Sequence, residues 1–380
     1  MIYADNAATT KLDIEAFEAM KPFLVDSFSN PSQPYSFSRV SRTAIKEARE
    51  IIAKCIGADS EEIFITSGGT ESDNWAIKIA SCGGNVITST IEHHAILNSC
   101  IALERSGGTV SYLGVDNRGM VDITELEAKI DTSTKLVSVM FANNEIGTIQ
   151  PITQLVEIAH KHNCLFHTDA VQAVGHVKID VHEIGVDLLS ASAHKFNGPK
   201  GIGFLFIKKG IDIFPLIDGG SQEFGYRAGT ENVASIVAMA IALKNNCDHI
   251  EENANKIRFL ENRLMNGLDN MKLDFIRNGS DMRIPGNVNL SFRDFEGEPL
   301  LHRFDLMGIC ISTGAACDSV NTQVSHVIQA IGVPEVYAKG TIRISLGKDN
   351  TKDDVDEILK AIRKIMQYDY SKSDTYRYRE

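Results

Sequence analysis

The sequence predicts an α/β protein: a large domain built on a mainly parallel sheet flanked by helices, and a smaller α/β domain at the C-terminal end. Three observations support this fold class. Short apolar segments alternate with helical segments between residues 63 and 207, as in a parallel sheet covered on both faces. A chain of 380 residues is long for a single domain. The alternation also resumes, in a shorter series, after residue 254.

The segments before the sheet are expected to form two irregular stretches and two helices. Residues 4–10 are small and polar and should form a loop, and a helix should cover residues 13–25. After the second irregular stretch, at residues 29–35, an amphipathic pattern predicts a long helix at about residues 39–57.

The strands of the large domain are expected to be short and buried. They are predicted at residues 63–66, 86–89, 110–113, 136–140, 165–168, 188–190 and 203–207. Because helices separate most of them, functional residues should gather at the strands' carboxyl ends. Polar groups follow five of these strands, so we expect five loops to converge on one crevice.

The helix that begins near Asn232 is expected to link the two domains. Beyond it the pattern predicts another helix, three strands at residues 288–292, 309–312 and 341–346, a closing helix, and a polar end at residues 371–380 that should fray. The predicted large domain is residues 14–253, and the small domain is residues 1–13 together with residues 254–380.

The composition argues against several classes of function. A net charge of -12 disfavours a nucleic-acid-binding surface. The chain starts without a signal-peptide pattern, and no apolar run approaches the ~20 residues of a membrane helix, so we expect a cytoplasmic protein with no membrane segment. Seven irregularly spaced cysteines do not suggest a disulfide framework, and at least one of them is a candidate working thiol.

Lys195 lies between a predicted strand and a Gly-Pro-Lys-Gly turn, at a position that is exposed yet rigidly held. An ammonium group held against apolar walls loses part of its proton affinity, and a neutral amine can form a Schiff base. Lys195 is therefore a candidate carrier of pyridoxal phosphate; the alternative is a surface lysine in a turn. Asp169 favours the cofactor, because a carboxylate at the end of a strand can keep a pyridine nitrogen protonated.

Two other loops carry candidate functional groups. Residues 67–72 form a glycine-rich turn that enters a helix near Thr70, and free amides at a helix N-terminus bind phosphate. The alternative is an ordinary turn with a capping threonine. Cys317 lies in a run of small residues, 312–319, where a thiol is accessible and can be reactive. The alternative there is a cysteine used only as a small residue.

Metal and nicotinamide sites are not expected. His160, His162, Cys164 and His167 are residue types that bind metals, but a helix end and a buried strand carry them, so their side chains should point in different directions. Residues 201–203 lack the third glycine of a dinucleotide-binding motif and enter a strand.

A series of short motifs runs along nearly the whole chain. The motifs are ADNAATT at residues 4–10, TSGGTESDN at 66–74, EHH at 92–94, NNEIG at 143–147, HTDAVQ at 167–172, SAHK at 192–195, RAGTEN at 227–232, the loop around Cys317, and IRISLG at 342–347. In this combination and order they closely resemble the cysteine desulfurases of the class V aminotransferase family. This resemblance implies a pyridoxal-phosphate-dependent enzyme of fold type I. The short loop around Cys317 resembles the housekeeping-type group, which supplies sulfur for iron–sulfur clusters, thiolated tRNA and thio-cofactors.

The resemblance implies how the cofactor, pyridoxal 5'-phosphate, would be bound. Lys195 would bind it covalently, Asp169 would pair with its pyridine nitrogen, Gln172 with its ring hydroxyl, and His93 would stack on its ring. The remaining cofactor-binding residues would be Gly69, Thr70, Asn144, Ser192 and His194, with Thr230 reaching across from the second subunit of a homodimer.

The resemblance also implies a substrate and a reaction. Asn144 and Arg343 would hold the carboxylate of L-cysteine, the arginine through a bidentate contact. Lys195 and His93 would move protons, and Cys317 would be the nucleophile that takes the sulfur as a persulfide while L-alanine is released. A sulfur-acceptor protein would then receive the sulfur.

Other functions share part of this pattern. A class V transaminase or another lyase would keep Lys195 and Asp169 without needing Cys317, and a selenocysteine lyase would differ in its substrate. A non-enzymatic sulfur-relay or assembly subunit would keep the dimer without turnover. Four positions depart from the family's usual motifs and leave the pocket entrance, the dimer contact and the acceptor open: Tyr35, Ser221, Phe224 and Val324.

Overall fold

A seven-stranded sheet forms the centre of the computed structural model, which describes residues 1–80, 84–313 and 324–377. From edge to edge its strands are β2 (Ile63–Thr66), β8 (Gly203–Ile207), β7 (Leu188–Ser192), β6 (Leu165–Asp169), β5 (Thr134–Ser138), β3 (Asn85–Ser89) and β4 (Thr109–Leu113). Neighbouring strands run parallel except at β8, which is antiparallel to β2 and β7. The prediction of a mainly parallel sheet is confirmed.

The direction of β8 follows from a short connection. Parallel neighbours need a crossover of about a dozen residues or more, usually a helix. Only residues 193–202 join β7 to β8, and they contain a 3-10 turn, Ala193–Lys195. Lys195 therefore lies directly beyond the carboxyl end of β7.

Helices cover both faces of this sheet and build the C-terminal part of the chain. Along the described chain they are α1 (Ile14–Val25), α2 (Arg39–Ile56), α3 (Gly69–Ala80), α4 (His94–Arg105), α5 (Ile123–Lys129), α6 (Ile152–Lys161), α7 (Val181–Ile184), α8 (Val233–Asp248), α9 (Ile250–Asn270), α10 (Gly297–Leu306), α11 (His326–Ala330), α12 (Glu335–Ala338) and α13 (Lys352–Arg377). Within the described ranges, none of them is both long enough and apolar enough to cross a membrane.

The alternation of side chains along each strand creates two apolar layers. In β8, Phe204 and Phe206 belong to one buried cluster, and Leu205 and Ile207 belong to another. Helix α8 contributes to the first cluster, and helix α3 contributes Trp75 to the second. Burial on both faces explains why the strands are almost continuously apolar.

The C-terminal part has its own sheet and its own apolar cluster. Strands β9 (Phe275–Arg277), β10 (Asn287–Phe292) and β12 (Thr341–Ser345) form an antiparallel sheet with β10 in the middle. The strand at the start of the chain, β1 (Ile2–Tyr3), pairs in parallel with β11 (Ile309–Cys310). Apolar side chains of α9, α10 and α13 pack into this second core.

Helices α8 and α13 show details that the sequence pattern did not reveal. Helix α8 packs on α1 and α2 because most of its surface is apolar, so it belongs to the N-terminal core. His249 separates α8 from α9. Helix α13 extends to Arg377, and its sequence contains no glycine or proline to end it earlier.

Candidate active site

A cavity of about 570 Å³ opens where the parallel strands end. Its wall includes Asp169 at the end of β6 and Ser192 at the end of β7, together with residues that follow β2, β3 and β5. The predicted site residues that line it are Gly69, Thr70, His93, Asn144, Asp169, Gln172, Ser192, His194, Lys195 and Arg343. Strand β12 contributes Arg343, so both parts of the chain build the cavity.

The ammonium group of Lys195 is held by the N-terminal loop. Its Nζ donates to the carbonyl oxygens of Ala7 at 2.6 Å and Ala8 at 2.9 Å. On the other side of the turn, the carbonyl oxygen of Lys195 lies 2.9 Å from Nε2 of His176. These contacts fix the lysine at the cavity wall with its amine directed towards residues 7 and 8.

Thr10 fastens the N-terminal loop to the Lys195 turn. The backbone N–H and the hydroxyl of Thr10 both donate to the carbonyl oxygen of His194, at 2.9 and 2.8 Å. The hydroxyl also accepts from the N–H of Asn197 at 2.8 Å. Gln172 donates through Nε2 to the carbonyl of Ala7 at 3.0 Å. The loop therefore forms part of the site, which the sequence signalled only through its motif.

Asp169 and His93 are two ionisable groups that line the cavity. Burial raises the pKa of the Asp169 carboxyl, while His93, the Val171 N–H and Lys195 act in the opposite direction. Burial lowers the pKa of His93. His93 caps α4, and its Nδ1 accepts from the N–H of Ala95 at 3.1 Å, so the neutral ring carries its proton on Nε2.

A buried polar network, which sequence reasoning missed, lies behind Asp169. Burial raises the pKa of Asp73 well above its usual value and that of Glu92 to about 8, and lowers that of His167 to about 3. Glu92 and His167 are therefore uncharged near neutral pH, and burial favours the protonated form of Asp73. Hydroxyls of Ser138 and Ser190 lie 2.9 Å from the two nitrogens of His167. The sequence placed Asp73, Glu92 and His167 inside motifs but gave no sign of their burial.

The turn between β2 and α3, where a phosphate cradle was predicted, lines the cavity. Gly68 has φ of 147°, and a Cβ on Gly69 would lie 2.6 Å from Cγ2 of Val171, so the turn requires glycine. Gly69 begins α3, which directs that helix's free N-terminal amides into the cavity beside Thr70 and Ser192. Burial, aided by the cations Lys195 and Lys200, lowers the pKa of His194 to about 4. His194 is therefore a neutral hydrogen-bonding group in the cavity that Thr70 and Ser192 also line.

Arg343 is the buried cation of the cavity. Only 2% of its side chain is exposed. Its Nη1 donates to the carbonyl oxygen of Asn144 at 2.8 Å, and its Nη2 pairs with Oδ1 of Asp5 at 2.8 Å. The predicted neighbours Asn144 and Arg343 are therefore in contact, and Asp5 is a partner that was not predicted.

Two predicted residues stand apart from this group. Thr230 does not line the cavity of Lys195; it lines a smaller cavity beside Ser67 and Arg227. Cys317 lies outside the described residues. Among the positions that depart from the family's motifs, Tyr35, Ser221 and Phe224 are exposed, and Val324 packs on an apolar cluster around α11.

Two histidines that were not predicted also line the cavity. The rings of His94 and His326 meet edge to face with centroids 5.0 Å apart. No group of three or more histidine, cysteine, aspartate or glutamate side chains in the described part of the chain is arranged to hold a metal ion. His160, His162, Cys164 and His167 thus do not form such a group.

The chain is similar to known proteins over nearly its whole length. The family model described as aminotransferase class-V matches residues 2–358. A cysteine desulfurase IscS of Dictyoglomus turgidum is 48% identical over 372 residues, which cover 96% of this chain and 94% of the relative. A cysteine desulfurase IscS of Methanosarcina thermophila is 48% identical over 371 residues, covering 96% and 92%.

Solved structures show the same similarity. A NifS-like protein superposes with a TM-score of 0.91 at 39% identity, covering 97% of this chain and 99% of the other. A NifS-like protein from Rickettsia africae superposes with a TM-score of 0.88 at 34% identity, with coverages of 97% and 99%. A structure described as SspA in complex with cysteine has a TM-score of 0.82 at 36% identity, with coverages of 92% and 100%.

Proposed function

Because the chain belongs to the class V aminotransferase family, we propose that it is a cysteine desulfurase that uses pyridoxal 5'-phosphate. It converts L-cysteine to L-alanine and leaves the sulfur as a persulfide on its own cysteine thiol. The observation that carries the proposal is one cavity that contains an amine, a buried carboxylate and a buried guanidinium, supplied by Lys195, Asp169 and Arg343.

The residues of the cavity fit the cofactor. A Cβ at Gly69 would meet Val171 at 2.6 Å, so the helix N-terminus is kept clear for close approach of a phosphate. Thr70, Ser192 and the neutral His194 supply further hydrogen-bonding groups around it. Asp169 is the group for the pyridine nitrogen, and Gln172 is the group for the ring hydroxyl. When bound, the cofactor supplies an aldehyde that joins an amine and a ring that withdraws electrons from the carbon next to that amine.

Lys195 and Asp169 control the protons. Nζ of Lys195 has to lose a proton before it can act as a nucleophile, and the carbonyls of Ala7 and Ala8 keep it oriented while it does so. The freed amine can then take the α-proton of the substrate. Asp169 holds a proton on the ring nitrogen, and His93, with its proton on Nε2, provides a further acid–base group.

Arg343 and Cys317 act on the two ends of L-cysteine. The guanidinium binds the α-carboxylate, with Asn144 beside it. The Cys317 thiolate attacks the substrate sulfur: an S–S bond forms, the C–S bond breaks, and its electron pair remains on the substrate carbon. That carbon takes up a proton, so the products are L-alanine and the Cys317 persulfide.

The partners follow from this chemistry. A sulfur-acceptor protein, serving iron–sulfur cluster assembly, tRNA thiolation or thio-cofactor synthesis, takes the sulfur from Cys317. A second copy of the chain provides Thr230 for the phosphate. Within one chain, Thr230 does not line the cavity that contains Lys195. The large domain comprises residues 14–253, and the small domain comprises residues 1–13 and 254–380. The protein acts in the cytoplasm.

The test is turnover of L-cysteine by the purified protein supplied with pyridoxal 5'-phosphate. We expect L-alanine and, with a reductant, sulfide in equal amounts; without reductant, mass spectrometry should find one extra sulfur on the peptide that contains Cys317. Cys317→Ala should abolish both products. A transaminase would instead form a keto acid and remain active in Cys317→Ala, and a relay subunit would form no L-alanine. Either result would overturn the proposal.

A further inference from the structure

The side chain of Arg343 lies between the active-site cavity and Asp5. It lines the active-site cavity, yet it already pairs with Asp5, which does not line that cavity. Among the described residues its Nε, which is buried, has no hydrogen-bond partner. An incoming carboxylate therefore meets a cation that already has one carboxylate partner.

Asp5 is held in place independently of Arg343. It forms a parallel β-bridge with Ser345, two residues after Arg343 on β12. The hydroxyl of Tyr3 donates to the carbonyl oxygen of Asp5 at 3.1 Å, and the neighbouring Asn6 N–H donates to the carbonyl of Ser345 at 3.1 Å. The carboxylate of Asp5 is 18% exposed, so water screens its charge only in part. Its position is set by the backbone of β12.

We propose that Asp5 is a positioning residue that limits how tightly Arg343 holds the carboxylate of an amino acid. The proposal rests on the function proposed above, in which Arg343 receives that carboxylate. Asp5 orients the guanidinium through Nη2, and its negative charge opposes a second carboxylate on the same cation. The protein thereby gives up affinity for L-cysteine and L-alanine and gains faster release of L-alanine.

Asp5→Asn removes the negative charge of the side chain but nearly preserves its shape. The amide oxygen still accepts from Nη2, but the buried guanidinium loses its counter-charge. Two linked effects are expected. The ligand-free protein becomes less stable, because a buried cation is left without compensation. A carboxylate ligand binds more tightly, by a factor on the order of ten, because it becomes the counter-charge.

The experiment is a titration of the cofactor-loaded protein with L-alanine, followed by the change in visible absorbance and by the melting temperature. Asp5→Asn should lower Kd about tenfold, lower the melting temperature without ligand, and enlarge the rise in melting temperature that L-alanine produces. With L-cysteine, both KM and kcat should fall, since product release becomes slower.

Asp13→Asn is the matched control. Asp13 is 13% exposed and forms an ion pair with Lys348 at 3.1 Å, so its loss should also lower the melting temperature. Asp13 does not contact Arg343, and Kd for L-alanine should stay as in the original protein. In an Arg343→Gln background, Asp5→Asn should no longer change Kd, because the cation through which Asp5 acts is gone.

An unchanged or raised Kd for L-alanine in Asp5→Asn overturns the proposal. So does an equal change of Kd in the Arg343→Gln background. These results are independent of desulfuration. If the original protein binds L-alanine but forms no sulfide from L-cysteine, the proposed function fails while the titration still decides the role of Asp5.

Discussion

Nζ of Lys195 donates to the carbonyl oxygen of Ala7 at 2.6 Å, although the two residues are separated by 188 positions in the chain. The contact joins the turn after β7 to the N-terminal loop. The same loop contacts Gln172 through Ala7 and His194 through Thr10. The loop is therefore a wall of the active site whose contribution comes mostly from backbone groups.

Lys195→Ala should remove the covalent attachment of the cofactor and lower turnover of L-cysteine by at least about a thousandfold, because no other group occupies the same position. The measurement is borohydride reduction followed by mass spectrometry of the lysine-containing peptide, together with the rate of L-alanine formation. Lys200→Ala is the control, since Lys200 also lines the cavity and should not carry the cofactor. Label on Lys200 in the original protein would contradict the assignment.

Gly69→Ala should weaken binding of pyridoxal phosphate by about tenfold or more, because its Cβ would meet Cγ2 of Val171 at 2.6 Å and displace the turn. Equilibrium dialysis of the cofactor measures this. The double variant Gly69→Ala with Val171→Ala removes the clashing methyl group and should recover most of the lost affinity relative to Val171→Ala alone. A double variant that stays as weak as Gly69→Ala would show that the contact is not the cause.

Glu92 should make the folded state less stable as pH rises. Its pKa is about 8 in the folded protein against a usual 4.5, so the folded state retains the proton that the unfolded state has lost. The free energy of unfolding therefore falls as the pH rises from the usual pKa of 4.5 to about 8, and it levels off above pH 8. This carboxyl alone should cost about 2 kcal/mol between pH 6 and pH 8.

The measurement for Glu92 is urea unfolding at both pH values. Glu92→Gln cannot ionise, so the loss of about 2 kcal/mol should disappear from the difference between pH 6 and pH 8. The original protein and the variant should then differ mainly in how steeply the free energy of unfolding changes with pH. Equal slopes would mean that Glu92 is already ionised in the folded state at pH 6.

Glu223→Ala should destabilise the fold by about 3 kcal/mol, because it leaves the guanidinium of Arg49, whose side chain is only 11% exposed, without its carboxylate partner. Glu223 accepts from both terminal nitrogens of Arg49 at 2.8 Å and from the N–H of Ile65 at 2.8 Å. Glu50→Ala is the control: Glu50 pairs with Lys46 on the surface of α2, and its loss should cost less than about 0.5 kcal/mol. Equal losses in urea unfolding would contradict this.

The sequence predicted those features that depend on side-chain pattern. The α/β fold with its mainly parallel sheet and the family are confirmed, because apolar periodicity and motif order survive in the sequence. Strands β1 and β9 were not predicted. The desulfurase function also agrees with the named relatives. The antiparallel β8 was not predicted, because it depends on the length of one connection.

The contacts that were missed have physical reasons. The carbonyls of Ala7 and Ala8 are backbone acceptors, and any residue type can supply them. Residues 1–13 were predicted to belong to the small domain, but the pair between Asp5 and Arg343 depends on the pairing of β1 with β11, which the sequence pattern does not reveal. The roles of individual site residues and the domain boundaries remain predictions, as does the role of Cys317.

Pairing of β1 with β11 and of Asp5 with Arg343 has a consequence for biosynthesis. Asp5 leaves the ribosome long before Arg343, which follows it by 338 positions. A nascent chain can form the central sheet before its active site exists, because closing such a long loop must wait for the C-terminal strands. The pair between Asp5 and Arg343 therefore cannot form before β12 has been synthesised.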